Sequence, residues 1–261
     1  MCIRDSAWTL ALRRAQEGQG AQARELSFRL AELQRTRLGA PREALQLYQE
    51  LLAEDPAHPG ARAALEEWVR TGEEMSAAAL EVLDPVLAQV GDHARRVALR
   101  EVRMEGSPRS ERVLLAAELR RIQELDMRQA PLAFMSAVKA FAEGLDREGL
   151  RPELERLAQE TGSHEVLAEI YESTAADLPA GEPEPLALLR RAAELRESLG
   201  QPEEATRAWK ALLAQAPKDR QALEALSRLY QRSSNAKSLS EVYAAQAQLA
   251  ADPAERQALL F

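Results

Sequence analysis

Apolar residues along the chain recur at i, i+4, i+7 and i+8. Ala44, Tyr48, Leu51 and Leu52 form one such stripe, which is the spacing of a single face of an α-helix. The stripe returns 161 residues later as Ala205, Trp209, Leu212 and Leu213, and a weaker copy lies between them as Ala130, Phe134, Ala137 and Val138. The register extends beyond the stripes. Residues 38–44 (LGAPREA) and 199–205 (LGQPEEA) share L-G-x-P-x-E-A, and Pro56 and Leu65 recur as Pro217 and Leu226. Gly39 and Gly200 stop a helix, because glycine accepts the left-handed backbone that a helix C-terminus requires. Pro41 and Pro202 then open the next helix at a position where the missing N–H is not needed. Each unit is therefore two helices joined by a tight turn, and neither helix can bury its stripe alone.

The same reasoning predicts helices at 7–17, 21–38, 41–54, 59–70, 74–90, 93–105, 109–125, 128–143, 147–161, 164–178, 183–199, 202–215, 219–232, 236–250 and 253–261. Thr71 with Glu74 and Asp252 with Glu255 fit capping boxes, the second with Pro253 in the first turn, and Ser107-Pro108 is a similar start signal. The segment 179–184, with Pro179, Gly181 and Pro183, is the most loop-like and is a hinge candidate rather than a domain boundary.

Composition strengthens the helical reading. Ala, Leu, Glu and Arg number 49, 40, 33 and 30 of 261 residues, whereas Val, Ile and Thr together number only 19. The first group loses little rotamer freedom in a helix, and the branched residues that suit strands are scarce, so a sheet of any size is excluded. The net charge of −8 opposes a nucleic-acid partner. Nine Arg lie between residues 92 and 128 among seven acids, as in a solvated helix face laced with ion pairs. No run is long enough to serve as a transmembrane segment. Cys2 is the only cysteine, which leaves no disulfide framework or metal knuckle.

Landmark residues add a resemblance. Leu223, Leu226, Ser227 and Tyr230 follow the first half of the tetratricopeptide pattern (W-x2-L-G-x2-Y, then A-x3-F, then P), with Leu for Trp and Ser for Gly. Ala205, Trp209 and Pro217 follow the second half, as do Ala44, Tyr48 and Pro56. The chain thus resembles the tetratricopeptide repeat family, clearly over 21–71 and 183–253 and in degenerate form over 74–180. Larger units of 75–86 residues, from Ala44 to Ala130 to Ala205, resemble those of long bacterial helical-repeat proteins. The resemblance implies an all-α fold, a right-handed α-solenoid of stacked antiparallel helix pairs forming one superhelix over 7–261. It also implies a concave face lined by the first helix of each pair. The family's concave positions fall on Glu32, Arg35, Glu67 and Arg70, then Arg190, Glu194 and Glu197, then Glu224, Arg228 and Arg232. Chaperone-binding members clamp a C-terminal carboxylate with Asn and Lys. Asn235 is the sole Asn and Lys numbers four, so no chaperone-type carboxylate clamp is expected.

Both ends read as abrupt. Residues 1–6, MCIRDS, match a translation of a transposase adapter used in sequencing, and residues 255–261 resemble 22–28, where a helix continues; the array is expected to be truncated at both ends. Localisation is unassigned, cytoplasmic by default, because a targeting signal would lie outside such a fragment. His58, His93 and His164 share no helix face at metal spacing, and nucleophile elbow, phosphate loop and dinucleotide fingerprint are absent from the sequence. Trp68, Trp209 and Tyr230 fall on apolar stripes and are expected in the core. The expected function is a non-enzymatic protein–protein interaction scaffold without cofactor or metal, binding a protein or peptide segment on a mixed-charge groove. The alternative is a regulatory or substrate-recruiting arm of a larger enzyme or sensor. Small-angle scattering should give a radius of gyration well above the roughly 18 Å of a globule of this length; a value near 18 Å would exclude the solenoid.

Overall fold

The computed structural model describes residues 3–17, 20–72, 74–250, 252 and 256–257. Among them every regular element is helical. The chain divides into two compact units between Ala140 and Phe141. The first holds α1 (Ile3–Glu17), α2 (Ala21–Leu33), α3 (Pro41–Glu54), α4 (Pro59–Thr71), α5 (Ser76–Gln89), α6 (His93–Glu105) and α7 (Arg109–Arg121). The division falls inside α8 (Ala130–Ala142). The second holds α9 (Arg147–Thr161), α10 (His164–Asp177), α11 (Pro183–Ser198), α12 (Pro202–Gln215), α13 (Arg220–Arg232) and α14 (Ala236–Leu249). The predicted helix 253–261 lies largely outside the described residues, as do Pro253, Glu255, Met1 and Cys2.

The turn chemistry acts as the sequence implies at the repeated motif. Gly39 and Gly200 adopt φ of 61° and 71°, and Pro41 and Pro202 begin α3 and α12. Other boundaries differ from expectation. Thr71 does not cap α5. It is the last residue of α4, its hydroxyl donates to the Trp68 carbonyl, and α5 begins only at Ser76 after Met75. Ser107 likewise turns back, donating to the Arg103 carbonyl at 2.9 Å, and Pro108 occupies the cap of α7. The segment 179–184 links α10 to α11 within the second unit, and the Gly181 N–H donates to Gln215 Oε1 at 3.1 Å. Two helices end in wide π turns, α2 through Gln34–Leu38 and α7 through Ile122–Asp126.

In the first unit each helix from α2 to α7 packs on the next, while α4 also touches α6 and α3 touches α5. α4 and α6 therefore lie side by side in one row, and α3 and α5 in another. Ion pairs join members of a row. Arg24 of α2 reaches Asp55 in the turn leading to α4 at 3.1 Å, and Arg62 of α4 reaches Asp92 at 3.4 Å. Asp92 is also the N-cap of α6, accepting the Arg95 N–H at 3.1 Å. In the second unit Arg190 of α11 reaches Asp219 at 2.5 Å, while Asp219 caps α13 through the Ala222 N–H at 2.9 Å. These three links span 31, 30 and 29 residues.

The cores are built from the repeated stripes. Ala44, Tyr48, Leu51 and Leu52 are buried, and the Trp68 ring stands edge-on to Tyr48 with centroids 5.7 Å apart. Ala205, Trp209 and Leu212 occupy the same places in the second unit and are also buried, as is Tyr230. Of the weaker copy, Phe134 and Ala137 are buried.

The arginine-rich stretch 92–128 departs from a uniformly solvated face. Arg96, Arg100 and Arg120 are buried. Asp84 of α5 accepts from Arg96 Nε at 2.9 Å and Nη2 at 3.0 Å, and from Arg100 Nη1 at 2.7 Å. Asp126 in the second π turn accepts from Arg96 at 2.5 Å, and Glu118 of α7 from Arg100 at 3.0 Å. A guanidinium has five N–H groups in a rigid fork, so one residue can bond carboxylates on both sides of its own helix. Burial works to raise the pKa of Asp84, but the hydrogen bonds from Arg96 and Arg100 outweigh it and leave the carboxyl below its ordinary range. Its stabilising share is therefore complete at neutral pH and lost as pH falls through that range. Asp84→Ala should lower the urea-unfolding stability by about 3 kcal/mol at pH 7 and reduce the acid-side loss of stability. An unchanged midpoint at both pH values would show the network to be a bystander.

Candidate functional site

The ten positions predicted for a groove separate into several environments. In the first unit Glu32 and Arg35 form a bidentate pair across the end of α2, at 3.2 and 2.9 Å. The buried Tyr48 hydroxyl also donates to Glu32. Burial tends to raise the pKa of Glu32, but the hydrogen bonds from Arg35 and Tyr48 outweigh it and keep the carboxylate ionised. Burial, and the negative neighbour after it, push the Tyr48 phenol well above its usual value. Glu67 and Arg70 pair with each other along α4 at 2.6 Å, and both are about half exposed.

The second unit repeats the inward tie with different atoms. Trp209 Nε1 donates to Glu197 Oε1 at 2.7 Å. Tyr48 and Trp209 occupy the same repeat position, so in both units the polar tip of a buried aromatic finds a glutamate on the preceding helix. An aromatic of this kind needs a partner when it is buried, and a carboxylate provides the stronger kind of hydrogen bond. Phe134, in the weaker copy, has no polar tip to satisfy. Glu194 accepts from Arg191 at 3.2 Å and from Gln221 of α13 at 3.1 Å. Arg190 is engaged by Asp219.

Glu224, Arg228 and Arg232 lie one turn apart along α13, all exposed. Arg228 makes only a long approach of 3.8 Å to Glu197 and remains 67% exposed. The structure thus brings Glu197 to Arg228 and Glu194 to Gln221 between α11 and α13, with Glu224 and Arg232 one turn to either side of Arg228 on the same stripe. Glu32, Arg35, Glu67 and Arg70 sit in the first unit and form separate local pairs.

A cleft of about 260 Å³ in the second unit was not foreseen from sequence. It opens between α10 and α12 over Leu189 of α11, with Ala176, Ala208 and Ala211 along its walls. Its charged edge is internally paired. Glu172 accepts from Arg196 Nε at 3.0 Å and Nη2 at 3.2 Å, and Glu204 from Arg207 at 3.1 Å. Leu189 and Arg196 point roughly 80–160° around α11 from Arg190, Glu194 and Glu197, so the cleft and the α11–α13 face are different surfaces. Only its run of alanines could have signalled it, and alanine is common throughout this chain.

The histidines are engaged locally. His58 caps α4 by accepting the Ala61 N–H at 3.1 Å, His93 lies 3.2 Å from Arg96, and His164 lies 3.1 Å from Gln159. Burial and then the charge of Glu155 push the Tyr171 phenol up to about 12, so it stays protonated at neutral pH. Among the described residues no group of His, Cys, Asp and Glu is placed to hold a metal ion. No helix among them is long and apolar enough to cross a membrane. No model of a known protein family matches the chain, and no curated protein matches it.

Glu197→Ala should cost about 1–3 kcal/mol of stability, since it strands a buried indole N–H. Arg232→Ala should stay within about 0.5 kcal/mol of the wild type. Equal effects from the two substitutions, measured by urea unfolding, would contradict the inward role of Glu197.

Proposed function

We propose that the chain is a non-enzymatic protein-interaction scaffold. Its units are right-handed stacks of tetratricopeptide-like helix pairs, and the second unit binds a protein segment along α11 and α13. The observation that carries this reading is a link found once in each unit, from an arginine in one helix to the acid that opens the helix two places on: Arg62 to Asp92 and Arg190 to Asp219. A link at near-constant spacing, 30 and 29 residues, fits a stack of equivalent pairs in which each pair touches its neighbours. Contacts of α4 with α6 and of α3 with α5 support it.

The binding chemistry follows from what is left exposed. Arg228 and Arg232 offer guanidinium groups, Glu224 offers a carboxylate, and the approach of Arg228 to Glu197 is long enough to be replaced by an incoming acid. A partner segment carrying both signs fits this face, and no Asn–Lys clamp is present to demand a chain end.

A library of peptides selected on the purified chain tests the proposal. Arg228→Glu combined with Arg232→Glu should weaken the selected peptides at least about tenfold, or 1.4 kcal/mol, without lowering the melting temperature. Amidating the peptide C-terminus should leave affinity unchanged. Peptides that ignore the charge reversal, or that need a free carboxylate, would overturn the proposal.

A further inference from the structure

The cleft between α10 and α12 is a gap the second unit leaves unfilled. In the first unit two helices similarly placed, α3 and α5, meet across α4. Here α10 and α12 each pack on α11, and about 260 Å³ stays open between them. Ala176 of α10 and Ala208 and Ala211 of α12 form the walls, and Leu189 forms the floor. Apolar surface left open to water in this way favours whatever covers it. Gln215 shuts one end by accepting the Gly181 N–H at 3.1 Å. The cleft lies within its unit, with α9 before it and α13 and α14 after it.

Charge around the cleft is uneven. Helix α10 contains Glu165, Glu169, Glu172 and Asp177 and neither lysine nor arginine. Glu165, Glu169, Glu172 and Ala176 recur at i, i+4, i+7 and i+11, so the acids continue the cleft wall toward the start of α10. One cation serves all three. Arg196 bonds Glu172, lies 3.9 Å from Glu165 and feels the charge of Glu169. That arginine is buried, whereas Glu165 is 61% exposed and Glu169 is exposed as well. On the opposite wall Arg207 is matched by Glu204, and Lys210 turns away to the Tyr230 ring of α13 at 5.7 Å. Glu165, Glu169, Glu172 and Glu204 thus share only Arg196 and Arg207, which leaves an excess of negative charge beside an apolar slot.

Size and charge together specify the occupant. The volume of about 260 Å³ is below the roughly 300–1,000 Å³ of small-molecule sites and suits one or two apolar side chains. An acidic rim repels nucleic acid and anionic lipid, and it also repels a second copy of a chain with net charge −8. Two neighbouring helices make the walls, and a groove of that kind accepts a third helix by its apolar face. We propose that the cleft is a docking site for a basic amphipathic helix of a partner protein. One or two of its apolar side chains enter between the alanines onto Leu189. Glu169 stands seven residues from Ala176, about 10 Å along the axis, so a lysine or arginine two turns from the anchor meets Glu169 and Glu165. This site is independent of the α11–α13 face, and either can fail without the other.

Fluorescence anisotropy on the full chain tests the docking with labelled synthetic peptides. The probe is an amphipathic helical peptide with a leucine stripe flanked by lysines. Its counterparts carry glutamate for lysine, or serine for leucine. The lysine–leucine peptide should bind and should weaken as salt is raised, because exposed charges are screened. Both counterparts should bind at least about tenfold more weakly. Ala176→Leu with Ala211→Leu fills the cleft from both walls and should cost the same factor without lowering the melting temperature. Glu165→Gln with Glu169→Gln should also weaken the peptide about tenfold. Glu43→Gln with Glu54→Gln removes equal charge from α3 in the first unit and should leave affinity unchanged. No binding of the lysine–leucine peptide up to millimolar concentration overturns the proposal. So does binding that survives the filled cleft, or that responds equally to both pairs of charge removals. Displacement of the peptide by octylamine at equal concentration would make the cleft a small-amine site and overturn the helix as its occupant.

Discussion

An arginine reaching from one helix to the acid that opens the helix two places further on sets the register of both units. Asp92 and Asp219 each serve twice. One carboxylate oxygen takes an N–H that the helix start would otherwise leave unpaired, and the other takes the guanidinium from the helix two places before. Cap and link are thus one residue, so a helix cannot slide along its neighbour without surrendering its own first turn. Such partly exposed pairs contribute little stability individually. Stability comes from the buried Ala and Leu stripes, which are non-directional and do not by themselves choose a register. Arg147 of α9, at 3.6 Å from Glu184 in the first turn of α11, is a looser form of the same link.

The second constraint is the polar tip of a buried aromatic. Tyr48 and Trp209 fill the gap between adjoining helices, yet each carries one polar group into it, and Glu32 and Glu197 answer that group from the surface. Two residues that the repeat pattern assigns to a binding face are therefore also part of the core's hydrogen bonding. A ligand that competed for either glutamate would have to leave a buried donor unpaired. The exposed stripe of α13 carries no such obligation, which is why the candidate face centres there.

Much of this was legible because helix starts and stops leave residue signatures. Gly39 and Pro41, with Gly200 and Pro202, gave both ends of the repeated turn, and the apolar period gave Tyr48 and Trp209 as core. The degenerate middle was less legible because some of its turns take the left-handed conformation at residues other than glycine, although Gly91, Gly144 and Gly162 keep it. Arg128 and Asp146 adopt positive φ of 55° and 45° where the sequence offers no marker. The π turns after α2 and α7 widen the backbone without demanding any residue type. Arg96 and Arg100 read as surface residues, since burial of a charge depends on partners such as Asp84, 12 residues away from Arg96. Thr71 and Ser107 close the helix behind them rather than open the one ahead, two uses for which a hydroxyl serves equally well. Of the candidate face, the positions were legible but their engagements were not, because those depend on which neighbouring helix each side chain meets.

The doubled role of Asp92 and Asp219 has a genetic corollary. The α4–α5 pair carries Asp55 before its first helix and Arg62 within it, and the α11–α12 pair carries Glu184 and Arg190 in its first helix, so both halves of these joints travel with the segment that encodes the pair. Unequal recombination that duplicates or removes one such segment leaves compatible ends on either side. The gene can then lengthen or shorten by whole pairs, and the new junction forms from residues already in place rather than awaiting a second, compensating mutation.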